Sequence, residues 1–125
     1  REWQRYWAAR MVDPLADAET LKLTDGNRVV ELGKKPESYA DIQGQYTGLI
    51  KIRADHVARL PAMRRAMDHN AIFDGKDYDN MYMTSFIQHL IDSGWEARAA
   101  LIDNGWAEVD SKRDLMVATD FWNAN

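Results

Sequence analysis

The stretch Gly44-Gln45-Tyr46-Thr47-Gly48-Leu49-Ile50-Lys51-Ile52 constrains the fold most. Two glycines open it, and it closes in an alternating run containing β-branched residues, so it reads as a strand over 44–52. A glycine within a strand removes the Cβ and lets a ligand or another backbone come close. The plainer alternative is that Gly44 ends a turn and Gly48 marks a bulge. A second stretch, Trp106-Ala107-Glu108-Val109-Asp110-Ser111, precedes Lys112-Arg113-Asp114-Leu115. It reads as a short strand over 106–109 that delivers the Asp110 carboxylate where a helix over 111–122 begins. Asp110 there is either a Mg²⁺ ligand at the carboxyl end of a strand or the cap of that helix.

The other segments surround these two. Trp3, Tyr6, Trp7 and Arg10 fall on one helical face, and Asp13-Pro14 interrupts it because the residue before proline avoids the α region. That face is core packing or, alternatively, an aromatic wall for a cation such as choline. Residues 18–24 and 28–32 read as a β-hairpin around Asp25-Gly26-Asn27, residues that tolerate positive φ. Gly33-Lys34-Lys35-Pro36 follows as a loop, a solvated turn or a phosphate contact. Residues 54–70 read as a helix that Pro61 kinks or restarts. Asp74-Gly75-Lys76-Asp77-Tyr78-Asp79 lacks the glycine position and closing glutamate of a calcium loop and reads as a turn leading to a helix. Met83, Phe86, Ile87, Leu90 and Ile91 form the clearest helical stripe, and Gly94 ends it. A strand over 95–102 and a turn at Asp103-Asn104-Gly105 precede Trp106; Trp122 lies on the face of the last helix. Ser111 and Asp114 have capping-box spacing. Strands interleaved with helices predict an α/β sheet layered with helices.

The chain has no cysteine, which excludes disulfides, thiolate metal sites and cysteine nucleophiles. His56, His69 and His89 lack metal-ligand spacing, and no hydrolase or Walker motif is present. A net charge of −4 argues against nucleic acid as a partner. No apolar run approaches the roughly 20 residues that span a membrane, and no signal-peptide pattern opens the chain, so no membrane partner is expected and the cytoplasm is the default location.

Asp17-Ala18-Glu19-Thr20-Leu21, Glu31-Leu32-Gly33-Lys34-Lys35-Pro36, Ile42-Gln43-Gly44-Gln45-Tyr46-Thr47-Gly48-Leu49, Met83-Thr84-Ser85-Phe86 and Trp106-Ala107-Glu108-Val109-Asp110-Ser111 together resemble the nucleotidyltransferases that make NDP-sugars and related compounds. The phosphocholine and 2-aminoethylphosphonate cytidylyltransferase branch looks closest. The resemblance implies a Rossmann-like mixed sheet flanked by helices. It implies transfer of a nucleotidyl group from an NTP, CTP above all, to a phosphorylated small molecule, with Mg²⁺ as cofactor. By the same resemblance, Asp110 is the second metal aspartate, and Lys35 contacts the acceptor phosphate; both are counted as catalytic. Gly48 lines the acceptor pocket, Glu19 faces it from a strand, and Tyr46, Trp106 and Glu108 belong to the pocket or its support.

The family's Gly-rich loop, base-reading segment and first metal aspartate have no counterpart here. Residues 1–125 are therefore expected to be the acceptor-binding C-terminal portion of one such domain. Alone, such a portion is expected to bind no NTP and to form an oligomer or swapped assembly that buries its open edges. The alternative is a non-catalytic module of the same fold that binds a small molecule or a protein.

Overall fold

In a computed structural model of the chain, Leu21–Thr24 (β1) and Arg28–Leu32 (β2) pair antiparallel around a 3₁₀ turn at Asp25–Asn27. The turn needs left-handed backbone at Gly26 (φ 67°) and Asn27 (φ 58°), the residue types that adopt it with least strain. Leu21 pairs with Leu32 and Leu23 with Val29, which leaves Val30 as an extra residue. Val29 and Leu32 are three apart and would face opposite sides of a regular strand. The bulge turns both inward, where they form the core cluster with Leu21.

The structure describes residues 3–103 and 105–123. Arg1, Glu2, Asn104, Ala124 and Asn125, and the side chain of Trp122, lie outside the described residues.

The helices are Trp3–Arg10 (α1), Pro14–Asp17 (α2), Ala54–Val57 (α3), Leu60–Arg65 (α4), Met83–Asp92 (α5) and Lys112–Asn123 (α6). Asp13-Pro14 ends α1 and starts α2: the Asp13 carboxylate accepts the Leu15 N–H at 3.1 Å. The helix expected over 54–70 divides into α3 and α4. Pro61 sits in the first turn of α4, where its missing N–H is harmless. Residues 73–76 form a tight turn closed by two hydrogen bonds between Phe73 and Lys76, at 2.7 and 3.0 Å. Gly94 (φ 88°) stops α5, with the Trp95 N–H reaching back to the Leu90 carbonyl at 3.0 Å.

Helix α5 buries its polar face most deeply, while Ile87 and Ile91 of its apolar stripe pack against the edge of the core cluster. Thr84, Ser85 and Gln88 are buried, while Met83 is exposed and Phe86, Ile87, Leu90 and Ile91 are half-buried. Gln88 explains the burial of its face: its Oε1 accepts the Leu32 N–H at 2.7 Å and its amide donates to Asp92 at 2.8 Å. A Cβ on Gly33 would come within 2.5 Å of Thr84 Cβ, so the end of the hairpin lies directly against α5. Ile87, Leu90 and Ile91 line an open groove of about 1010 Å³, together with parts of 44–53 and 95–102.

Three expected strands are corrected. Residues 44–52 have no regular structure: only Ile42 bridges to Leu21, and no strand runs beside 44–52 among the described residues. Extended, β-branched sequence needs a neighbour before it becomes a ladder. Residues 95–102 touch the sheet only at 97–99, where the Val29 N–H meets the Ala97 carbonyl at 2.9 Å. Residues 106–109 are irregular, and they meet α1 through Trp106, stacked on Trp7, and the Glu108 carbonyl, which takes the Tyr6 hydroxyl. The hairpin's first strand starts at Leu21 rather than Ala18, although Thr20 still pairs with Lys34 through backbone at 2.9 Å. The architecture is mixed helix with a two-stranded sheet, compatible with part of an α/β layer. Among the described residues no helix is long and apolar enough to cross a membrane.

Candidate functional site

Helix α1 carries Tyr6, Trp7 and Arg10 on its buried face, and that face meets 106–114. Trp7 stacks on Trp106 with ring centres 5.8 Å apart, and the Tyr6 hydroxyl donates to the Glu108 carbonyl at 2.7 Å. The Arg10 side chain is only 3% exposed. Its Nη1 donates to Glu108 at 2.8 Å and its Nη2 to Asp110 at 2.6 Å. Its Nε lies 3.1 Å from Asp114, an ion pair without an aligned hydrogen bond. Burial alone would lower the Arg10 pKa, but the Glu108 and Asp114 carboxylates outweigh it and raise it.

Asp110 itself is 69% exposed. It does not cap α6. That role falls to Ser111, whose hydroxyl oxygen accepts the Asp114 N–H at 3.2 Å. Asp114 completes a variant of the capping box: its carboxylate takes the Ser111 hydroxyl at 2.8 Å and the Asp110 N–H, rather than that of Ser111, at 3.2 Å. The Ser111 hydroxyl, followed by Arg10, holds the Asp114 pKa below the ordinary carboxylate range against its burial.

A second group of candidates gathers at the end of the hairpin. The exposed Lys35 ammonium donates to the carbonyls of Leu15 and Ala16 at 2.9 and 2.7 Å, the last turn of α2. Its neighbour Lys34 pairs with Asp74 at 2.9 Å, and Asp74 also accepts the Ser85 hydroxyl. Glu19 is half-buried; burial pushes its pKa up, the Thr84 hydroxyl bonded to it pulls down, and Asp74, Asp17 and Glu108 push up further. Tyr46 is raised by burial and by the charge of Glu19, and it packs against the core cluster. Gly48 has φ 78° and open space where a Cβ would stand, so its backbone conformation explains the glycine within this chain.

The structure thus joins Glu108, Asp110 and Trp106 through α1, and Glu19 with Tyr46 beside α5. Tyr46 and Trp106 both line the large groove. Lys35 rests on α2. Sequence reading missed Arg10 as part of the site. The available signal was a charged residue on an otherwise aromatic, inward helical face, which calls for a buried acidic partner without saying where in the chain it lies.

As a metal site, the arrangement offers few protein donors. Among the described residues no group of three or more His, Asp or Glu side chains could hold an ion by itself. Asp110 is accessible and has one oxygen engaged by Arg10. That fits Mg²⁺, which is held by one or two carboxylates together with water and substrate phosphates, and not a cation needing an all-protein cage.

No protein-family model matches the chain, and no solved structure matches it. A curated cytidylyltransferase does. It is the CTP:phosphoglutamine cytidylyltransferase of Campylobacter jejuni, 42% identical over 117 residues. The match covers 94% of this chain and 46% of the relative, so the chain spans about half the length of that protein.

Proposed function

We propose that the chain is the acceptor-binding portion of a Mg²⁺-dependent cytidylyltransferase with a Rossmann-like sheet. In this reading a phosphate oxygen of the acceptor attacks the α-phosphorus of CTP, the bond to the β-phosphate oxygen breaks, and pyrophosphate leaves. The observation that carries it is the 42% identity to a CTP:phosphoglutamine cytidylyltransferase along 94% of the chain. Phosphorylated amino-acid derivatives such as phosphoglutamine are therefore the first acceptors to test, with phosphocholine and aminoethylphosphonate next.

Mg²⁺, when bound, offsets charge on the reacting phosphates. Asp110 is the residue that would hold it. Lys35 has an ammonium with three donors, two of them on Leu15 and Ala16, which leaves one for a phosphate oxygen of the acceptor. Glu19, Tyr46 and Gly48 would contact the body of the acceptor, and Trp106 and Glu108 would support the segment that presents Asp110. These residues bind and orient, and none has to form a covalent intermediate.

The test is ³¹P NMR of the intact protein with CTP, Mg²⁺ and each acceptor. Formation of pyrophosphate and a CDP-linked product is the expected result. Asp110→Asn should then reduce turnover on the order of 10²–10³-fold, as loss of a preorganised charge does, with folding retained. Acceptor binding without any turnover in the intact protein would overturn the reading in favour of a binding module.

A further inference from the structure

We propose that Arg10 is the positioning residue for Asp110, fixing which carboxylate oxygen remains for the metal; this rests on the cytidylyltransferase reading above. Asp110 is 69% exposed and stands outside any helix or strand. An aspartate in such a place ordinarily samples several rotamers. Arg10 removes that freedom. Its guanidinium is 3% exposed, anchored on α1, and locked on its other side by Glu108 at 2.8 Å and Asp114 at 3.1 Å. A planar fork held at two points presents its third donor direction rigidly, which the point charge of a lysine cannot do. The fork engages Asp110 Oδ2 at 2.6 Å, which ties down one oxygen of a carboxylate that is otherwise largely exposed.

Charge agrees with this role. Three carboxylates face one guanidinium, so Arg10 by itself does not cancel their charge. Arg10 also ties the site to the aromatic packing of α1, since Trp7, beside it, is stacked on Trp106.

The experiment compares Arg10→Lys, Asp110→Asn and the double variant in the intact protein, with Mn²⁺ as an EPR probe in the presence of CTP. Near-UV circular dichroism checks the fold. Arg10→Lys should weaken Mn²⁺ binding about 10–100-fold, the usual effect of removing an outer partner of a metal ligand. In the Asp110→Asn background, Arg10→Lys should weaken it no further, whereas a merely structural arginine gives losses that multiply. Asp110→Asn with a large loss and Arg10→Lys folded with unchanged affinity would overturn the inference alone. Unchanged affinity in Asp110→Asn would overturn the metal reading beneath it. A measurement on the unaltered protein needs no variant: the ¹⁵Nη signals of Arg10 should stay resolved when Mg²⁺ and CTP are added. Their collapse would mean that the metal displaces Arg10 and would overturn the proposal.

Discussion

Helices α1 and α5 treat their amphipathic faces in opposite ways. On α1 the aromatic face is covered by 106–114 and α6, and the one charged residue within it, Arg10, is met by three carboxylates. On α5 the polar face is the covered one, tied to the hairpin through Gln88 and Thr84, and the apolar stripe borders a groove of about 1010 Å³. The lesson is that a hydrophobic stripe names a surface to be buried without naming what buries it. Polar side chains can take the inner face when each finds a partner there, backbone for Gln88 and carboxylates for Thr84 and Ser85.

The largest expected effect that tests this contrast is Arg10→Ala. It leaves Asp114, nearly buried, and the more exposed Glu108 and Asp110 without their cation, and should lower the urea midpoint more than any other single substitution in this series. Leu90→Ala, on the groove side of α5, should cost less than the roughly 2–5 kcal/mol of a fully buried leucine. Equal losses would mean that the two faces are equally well packed.

The groove supplies the next test. Sedimentation of the 125-residue chain should give an assembly larger than a monomer, because an open apolar face of this size favours burial between copies. Leu90→Lys should shift that assembly toward monomer. A monomeric parent chain would mean that the stripe is stable in water and would remove the contrast with α1.

The smallest effect concerns charge beside α5. The raised pKa of Glu19, due first to burial, means that its folded state favours the protonated form. Its contribution to stability is present below the ordinary carboxylate pKa and is lost as pH rises through the raised value. Glu19→Gln should therefore raise Tm at pH 7, and the advantage should vanish below about pH 4. Asp74 has the opposite sign. Burial would raise it, but the Ser85 hydroxyl and Lys34 outweigh that and lower it, so its stabilisation is lost as pH falls through the depressed value. Asp74→Asn should lower Tm at pH 7 in the same thermal melts.

Local chemistry was the legible part of this fold. Asp25-Gly26-Asn27 announced the hairpin, Pro61 the restart of a helix, Gly94 a helix end, and Ser111 with Asp114 the start of α6, because each depends on residues a few positions apart. That 44–52 and 106–109 would stay irregular was not legible, since a strand exists only through a neighbour and composition cannot say whether one is present. The bulge at Val30 was hidden for the same reason. In the candidate site, Asp110 could be singled out from its place before a helix. Its bond to Arg10 could not, because the two residues are 100 positions apart.

That separation has a consequence for folding. Closing a loop of this length carries an entropy cost on the order of 4 kcal/mol, far more than closing the hairpin turn. The hairpin can form early from neighbouring residues, while the Arg10 clasp has to wait until the chain ahead of it has folded back. The Asp110 carboxylate therefore acquires its fixed orientation among the last steps, and a partly folded molecule carries that charge without its direction.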